Sequence, residues 1–226
     1  MAGLKLGVLI SGRGTNLQAL IDACARPAYP ARIVLVISNE PGALGLKRAE
    51  SAGIPTETID HRDFGDRAAF HAALDAALRK AGVELVCLAG FMRVLSKGFV
   101  ARWHDKAINI HPSLLPSFTG LEAQGQALAA GVRIAGCTVH FVRASVDNGP
   151  IIVQAAVPVL ERDDAETLAA RVLEAEHRIY PLAVRLIAEG RVSVVDEKVP
   201  IEGAAPAPGI LMNPAEASAE APAETS

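Results

Sequence analysis

Residues 6–16, LGVLISGRGTN, join an apolar run to a glycine-rich segment and decide the fold. Leu6–Ile10 is typical of a buried strand, and the residues after SGRGTN follow a helical pattern. Glycines let the backbone approach a ligand closely, and the free N–H groups at a helix start favour an anion. Thr15 and Asn16 can also cap a helix. We predict a phosphate-binding strand-to-helix turn, with a tight capped turn without a ligand as the alternative.

The alternation of short apolar runs and helical patterns continues along the chain. It predicts strands at Leu6–Ile10, Arg32–Ser38, Glu84–Ala89 and Ala107–Ile110, and helices at Asn16–Ala25, Ala43–Ala52 and Phe64–Ala81. This order is typical of the α/β class, with a Rossmann-like, mostly parallel twisted sheet and helices on both faces. Further on, Gly136–Val142 and Ile151–Pro158 are spaced as a hairpin, which predicts an antiparallel strand near one edge.

The clearest helical pattern covers Asp163–Glu189. Asp163 and Glu166 have the spacing of a capping box. Glu176 is expected beside the buried face, where it would be free for a ligand, and the alternative from the sequence alone is a solvated helix residue. One apolar stripe predicts that face, with Leu168, Val172, Ala175, Ile179, Leu182 and Leu186. We divide the chain into a domain at 1–203 and an Ala-, Pro- and Glu-rich tail at 204–226 that we expect to be disordered.

Composition excludes several classes of function. The 226 residues carry 22 Lys and Arg against 25 Asp and Glu, and the three excess acids lie in the tail. A neutral body lacks the basic surface of a nucleic-acid binder. No apolar run reaches the roughly 18 residues of a membrane span, and no signal peptide is expected. The three cysteines form no C-x-x-C pair, so we predict reduced thiols, no metal site and a cytoplasmic location.

Asn109 and His111 lie at the end of a predicted strand, where open α/β sheets bind ligands. Because Asn109 and His111 are two residues apart on an extended strand, their side chains point to the same side. An amide donor beside an imidazole suits acyl transfer, in which an oxygen becomes negative. The alternative is a histidine bonded to a nearby carbonyl. Asp147 lies in a second turn segment, SVDNGP, and its spacing alone does not bring it to His111.

Four segments in this order resemble the folate-dependent glycinamide ribonucleotide formyltransferases: SGRGTNLQALID, CLAGFMRVLS, INIHPSLLP and VDNGPIIVQ. The resemblance covers residues 4–195. It implies formyl transfer from 10-formyltetrahydrofolate, as co-substrate, to the amine of glycinamide ribonucleotide in de novo purine biosynthesis. No metal is implied, and we expect a monomer or weak homodimer with no nucleic-acid or membrane partner.

The resemblance also implies roles for particular residues. The catalytic residues would be Asn109, His111 and Asp147. Glycinamide ribonucleotide would contact two segments, Gly14, Thr15 and Asn16 for the phosphate and Leu173, Glu174, Ala175 and Glu176 for the glycinamide end. The folate would contact three groups of residues: Arg67; Met92, Arg93, Val94 and Leu95; and Asn109 with Arg143, Ala144, Ser145, Val146 and Asp147.

In the implied mechanism, His111 and Asn109 stabilise the oxyanion, and Asp147 favours the protonated imidazole and assists proton transfer. This chain departs from the family at Gln124, where a histidine is usual, so a role for an auxiliary imidazole is not carried over. Three alternatives remain. Methionyl-tRNA formyltransferase would need a basic tRNA-binding surface, formyltetrahydrofolate deformylase would add a regulatory domain, and a non-enzymatic binding module would not require the three catalytic residues together.

Overall fold

The computed structural model describes residues 3–205 and 209–214. Its core is one seven-stranded sheet in the order β3-β2-β1-β4-β5-β6-β7. The first five strands in this order are parallel, and β6 is antiparallel to both of its neighbours. The strands are β1 Leu4–Ile10, β2 Ala31–Ser38, β3 Thr56–Thr58, β4 Leu85–Leu88, β5 Ala107–His111, β6 Ile134–Phe141 and β7 Ile151–Pro158.

Six α-helices in the described residues cover the two faces of this sheet. They are α1 Thr15–Cys24, α2 Leu44–Ser51, α3 Arg67–Lys80, α4 Lys97–Arg102, α5 Ala123–Ala129 and α6 Ala165–Ala188. Alternate strand residues face opposite layers. Leu6, Val8 and Ile10 pack in the layer that holds α1, α2, α5 and α6, and Leu9 packs with α3 and α4. The predicted Rossmann-like architecture and the antiparallel strand near one edge are confirmed.

The predicted boundaries agree with these elements to within a few residues, but three short elements were missed. They are β3, α4 and α5. β3 has only three residues, and α4 and α5 have six and seven. Such lengths give too few turns for a hydrophobic period to be recognised.

The predicted capping box of the last helix was wrong by one residue. The N-cap is Asp164, whose side chain accepts from the Thr167 amide, and the Thr167 hydroxyl accepts from the Asp164 amide. Asp163 instead binds the guanidinium of Arg171, at 2.6 Å, and accepts from the Leu160 amide. The carboxylate of Asp163 therefore pairs with Arg171, its stronger charge-assisted partner, and the carboxylate of Asp164 caps the helix.

The predicted tail lies partly outside the described residues, since 206–208 and 215–226 are not described. Within 209–214, the Asn213 amide donates to the carbonyls of Arg133 and Val159. The division at 203 remains a prediction. No helix in the described part of the chain is long and apolar enough to cross a membrane.

Candidate active site

The proposed site residues meet at the carboxyl ends of β1, β4 and β5. The chain leaves β1 towards one side of the sheet and β4 towards the other, since β1 lies between β2 and β4. Such a switch point leaves a crevice in which α/β proteins bind ligands. The glycine-rich segment 11–14 follows β1, and the segment 89–96 follows β4. The two segments implied for the two substrates therefore flank one crevice.

The glycine-rich segment presents free N–H groups. The N–H groups of residues 12–17 donate to no acceptor in the part of the chain that the structure describes. Gly14 is the N-cap of α1 at φ 69°, so it lies in the left-handed region. The sequence suggested that Thr15 or Asn16 caps the helix. Neither does, because both lie inside its first turn.

Helix α2 holds this segment from outside. The Gly45 amide donates to the Gly12 carbonyl, and Nε of Arg48 donates to the Arg13 carbonyl at 3.0 Å. These two bonds occupy carbonyl oxygens that would otherwise repel an anion. A methyl group on Gly14 would come within 2.6 Å of the Gly45 Cα. The segment and α2 are thus packed glycine against glycine, with the N–H groups left available.

Glu176 does not lie beside the buried stripe of α6, as expected, but within it. Its residue exposure is only 6%, and Asn16 Nδ2 donates to its Oε2 at 2.6 Å. Burial raises the pKa of this carboxyl. Oε1 of Glu176 accepts no hydrogen bond from the described residues, and the buried Oδ1 of Asn16 has no partner among them either. This pair of acceptors suits a ligand with N–H or O–H donors.

The other residues implied for the glycinamide end lie on α6 beside Glu176. Leu173 and Ala175 are half-buried, and Glu174 is exposed. Of these four, only Glu176 makes a side-chain hydrogen bond to the first turn of α1 in the described structure, through Asn16. Helix α6 therefore reaches this turn through one carboxylate.

His111 and Asp147, 36 positions apart, are brought into contact. Nδ1 of His111 lies 3.3 Å from Oδ2 of Asp147, and Nε2 lies 3.0 Å from the Phe118 carbonyl oxygen. Both neighbours are acceptors, so each ring nitrogen faces one oxygen atom. The Asp147 carboxylate is itself fixed, because the Gly120 amide donates to Oδ2 at 2.8 Å.

His140 orients the Asn109 amide. The two residues are paired across β5 and β6, and Asn109 Nδ2 lies 3.3 Å from His140 Nε2. His140 Nδ1 lies 2.9 Å from the Phe141 carbonyl, so it carries the proton and Nε2 accepts. Burial lowers the pKa of His140, which keeps this ring neutral near pH 7. The second N–H of Asn109 has no partner among the residues that the structure describes, so it can donate to a ligand oxygen.

The loop after β5 is tied down by polar side chains of the antiparallel strands. Thr138 Oγ1 donates to the Ser113 carbonyl and accepts from the Leu115 amide. Gln154, paired with Thr138 across β6 and β7, donates to the Leu115 carbonyl at 3.0 Å. Gln124 donates to the Pro112 carbonyl at 3.3 Å. At this position, where the family usually has histidine, the chain therefore has a loop anchor.

The residues implied for the folate line the other side of the crevice. Met92 and Val94 are 63% and 55% exposed, whereas Leu95 is buried. Arg67 and Arg93 are exposed at the surface around this segment. In the loop 143–147, Ala144, Ser145 and Val146 are exposed, and the side chain of Arg143 is bound to Asp105 and Glu197. Arg143 thus has only its backbone available to a ligand in this conformation.

The roles of His140, Thr138 and Gln154 were not predicted from the sequence. A signal for the first two was present, since residues 138 and 140 are polar positions two apart in an otherwise apolar strand. Such spacing places them on one side of the strand. No group of three or more His, Cys, Asp or Glu residues in the described regions could hold a metal ion.

Comparisons with known proteins agree with this geometry. The family model described as formyl transferase matches residues 4–184. The chain is 56% identical over 191 residues to the trifunctional purine biosynthetic protein adenosine-3 of Gallus gallus, covering 84% of this chain and 19% of that protein. It thus spans about a fifth of the trifunctional relatives' length.

Two bacterial proteins match over most of their length. The chain is 43% identical to the phosphoribosylglycinamide formyltransferase of Haemophilus influenzae, covering 89% of this chain and 95% of that protein. The crystal structure of glycinamide ribonucleotide transformylase 1 from Symbiobacterium toebii superposes with a TM-score of 0.87 at 53% identity, covering 88% and 94% of the two chains. By the extent of these matches, the chain belongs to the formyl transferase family.

Proposed function

We propose that this chain transfers the formyl group of 10-formyltetrahydrofolate to the amine of glycinamide ribonucleotide, a step of de novo purine biosynthesis. One observation carries the proposal at the level of chemistry. His111 and Asp147 are in contact at 3.3 Å, next to an Asn109 amide with a free N–H. This arrangement has donors for a developing oxyanion and a carboxylate that can take up a proton.

The two substrates would occupy opposite sides of the crevice. The phosphate of the ribonucleotide would accept from the free N–H groups of residues 12–17, where the helix dipole also favours an anion. The donor groups of the same substrate would meet the unpartnered acceptors on Asn16 and Glu176. The folate would lie against Met92 and Val94, with residues 143–147 over it.

The reaction needs a nucleophile, an oxyanion site and a proton path. The neutral amine attacks the formyl carbon and forms a C–N bond, and the carbonyl electrons move to the oxygen. Asn109 would donate an N–H to that oxygen, and His111 would do so once its Nε2 leaves the Phe118 carbonyl. Each such donor typically contributes about 3–4 kcal/mol. The bond to N10 of the folate then breaks. Asp147 would accept the proton lost by the amine and pass a proton to N10 as that nitrogen leaves, while the oxyanion electrons re-form the carbonyl of the product.

One assay separates this function from its alternatives. Purified protein is given 10-formyltetrahydrofolate with glycinamide ribonucleotide, with initiator tRNA, or with water alone, and deformylated folate is measured. We expect turnover only with glycinamide ribonucleotide. Turnover with water alone would indicate a deformylase, turnover with tRNA a tRNA formyltransferase, and no turnover a binding module. Each of these three results overturns the proposal.

Three further statements belong to this proposal. We propose that residues 1–203 form the catalytic domain, that the protein acts in the cytoplasm without a nucleic-acid partner, and that it is a monomer or weak homodimer. The neutral charge balance of the body supports the absence of a nucleic-acid partner. Gel filtration at two protein concentrations measures the oligomeric state.

A further inference from the structure

The segment 91–95, between β4 and α4, buries Phe91 and Leu95, presents Met92 and Val94 to solvent, and carries the folate in the proposed function. It is not part of any helix or strand. At its first end, the Met92 amide donates to Oγ of Ser11, 2.8 Å away, and the Ser11 amide donates to the Gly90 carbonyl. Such a loop needs a second anchor to hold its shape.

His71 supplies that anchor from α3. Its Nδ1 lies 3.1 Å from the amide nitrogen of Ser96, the residue that follows the segment and caps α4. An amide N–H can only donate, so Nδ1 carries the lone pair and Nε2 carries the proton. Within residues 3–205 and 209–214, Nε2 has no partner. The ring therefore makes one hydrogen bond, and that bond goes to Ser96.

The surroundings keep His71 in this neutral form. The residue is 1% exposed and lies between the rings of Phe70 and Phe99. Burial, with added repulsion from Arg67 and Arg93, lowers its pKa to about 4. A buried donor without a partner costs free energy, and an apolar residue would avoid that cost. Among the described residues, the hydrogen bond to the Ser96 amide is the only one that the ring makes.

We propose that His71 is a positioning residue for the folate-binding segment 91–95, acting through the backbone amide of Ser96 without touching either substrate. The inference rests on the proposed function, because it assumes that the folate binds this segment. It assigns to His71 an effect on one substrate only. The second substrate contacts the glycine-rich segment and α6, which His71 does not contact through any hydrogen bond in the described structure.

The test compares two substitutions of the same residue. His71→Leu keeps the burial but removes the acceptor. His71→Asn keeps an acceptor, because its Oδ1 is bonded to Cγ as Nδ1 is in histidine. Leu74→Ala is the matched control, since Leu74 is fully buried on the same helix and its loss destabilises the protein without changing the Ser96 bond.

We expect His71→Leu to raise KM for 10-formyltetrahydrofolate about three- to tenfold, the effect of one neutral hydrogen bond. Its kcat and its KM for glycinamide ribonucleotide should stay within about twofold. His71→Asn should restore the KM for the folate, and Leu74→Ala should leave both KM values unchanged. A merely structural role would give His71→Leu and Leu74→Ala the same kinetic pattern, which would overturn the inference.

Amide hydrogen exchange measures the anchor directly and needs no turnover. The Ser96 amide should be protected in the wild type and in His71→Asn, and should exchange faster in His71→Leu. Unchanged Ser96 protection in His71→Leu would overturn the inference even if the enzyme is active. A different outcome is a wild-type protein that forms no product but protects the Ser96 amide, with that protection lost in His71→Leu. This outcome would refute the proposed function and support the hydrogen bond between His71 and Ser96.

Discussion

At the scale of single residues, the carboxylate of Asp147 accepts from the Gly120 amide and lies 3.3 Å from the imidazole of His111 and 3.9 Å from that of His140. Asp147→Asn removes the negative charge and keeps the size of the side chain. We expect kcat to fall about 10²-fold or more, as for loss of a general acid–base group. Steady-state rates at saturating substrate measure the effect, and an unchanged kcat would exclude Asp147 from the mechanism.

Glu176 illustrates a residue at which binding and stability oppose each other. Its pKa is raised by burial, so its charged form destabilises the folded state above the carboxyl's ordinary pKa. Glu176→Gln should therefore raise the free energy of unfolding at pH 7, while the amide oxygen of glutamine can still accept from Asn16. KM for glycinamide ribonucleotide should rise about tenfold. Urea unfolding and kinetics measure the two changes, and a less stable variant would contradict the assignment.

At the scale of elements, the contact between the glycine-rich segment and α2 depends on two glycines. Gly14→Ala would place a methyl group in the left-handed region and against Gly45. Such a residue costs about 1 kcal/mol or more in backbone strain, and α2 would have to move. We expect KM for glycinamide ribonucleotide to rise at least tenfold, with KM for the folate changed less than about twofold. Gly53→Ala, also at positive φ but with open space around it, is the matched control for strain without the clash.

The length of an element decided whether it could be predicted from the sequence. The period of the apolar residues predicted β1, β2, α1 and α6, because each is long enough to show a repeat. It misplaced Glu176, since the stripe of α6 shifts by one residue where Asn16 supplies a buried hydrogen-bond partner. That partner lies 160 positions away, and local periodicity contains no information about it. The N-cap at Asp164 was also missed. Periodicity does not show that Arg171 pairs with Asp163 and so leaves Asp164 free to cap the helix.

At the scale of the whole molecule, buried histidines predict sensitivity to acid. Burial lowers the pKa of His71 to about 4 and also lowers the pKa of His140 and His177. The folded state therefore binds fewer protons than the unfolded chain, whose histidines titrate near 6.5. The contribution of His71 is fully present above that pH and is lost as the pH falls towards 4, with a slope of about 1.4 kcal/mol per pH unit between the two values.

Chemical denaturation at pH 7, 6 and 5 measures this loss. The comparison with His71→Asn isolates one group, since asparagine does not titrate and its curve should be flatter by one proton. Parallel curves for the two proteins would mean that His71 titrates alike in the folded and unfolded states. The carboxylates of Asp60 and Asp163, whose pKa values are lowered by arginine partners, add their own loss at lower pH.

Several residues of the candidate site could be predicted from the sequence, but the contacts between them could not. Asn109 and His111 could be placed together because two residues on one strand share a side. Their contact with Asp147 could not be deduced from spacing, since it depends on the loop between β6 and β7 folding back onto Gly120. The roles of His140 and His71 were also beyond reach, because each acts through a partner that only the folded chain brings near.

The pairing of β5 with β6 sets Asn109 opposite His140 and His111 opposite Thr138. A slip of one residue would turn every side chain of the incoming strand to the other face. Asn109 would then sit opposite Val139 or Phe141, with no acceptor to orient its amide. Anyone grafting this chemistry onto a different scaffold must therefore transplant a two-stranded antiparallel unit in register, since the three reactive side chains alone do not carry their own alignment.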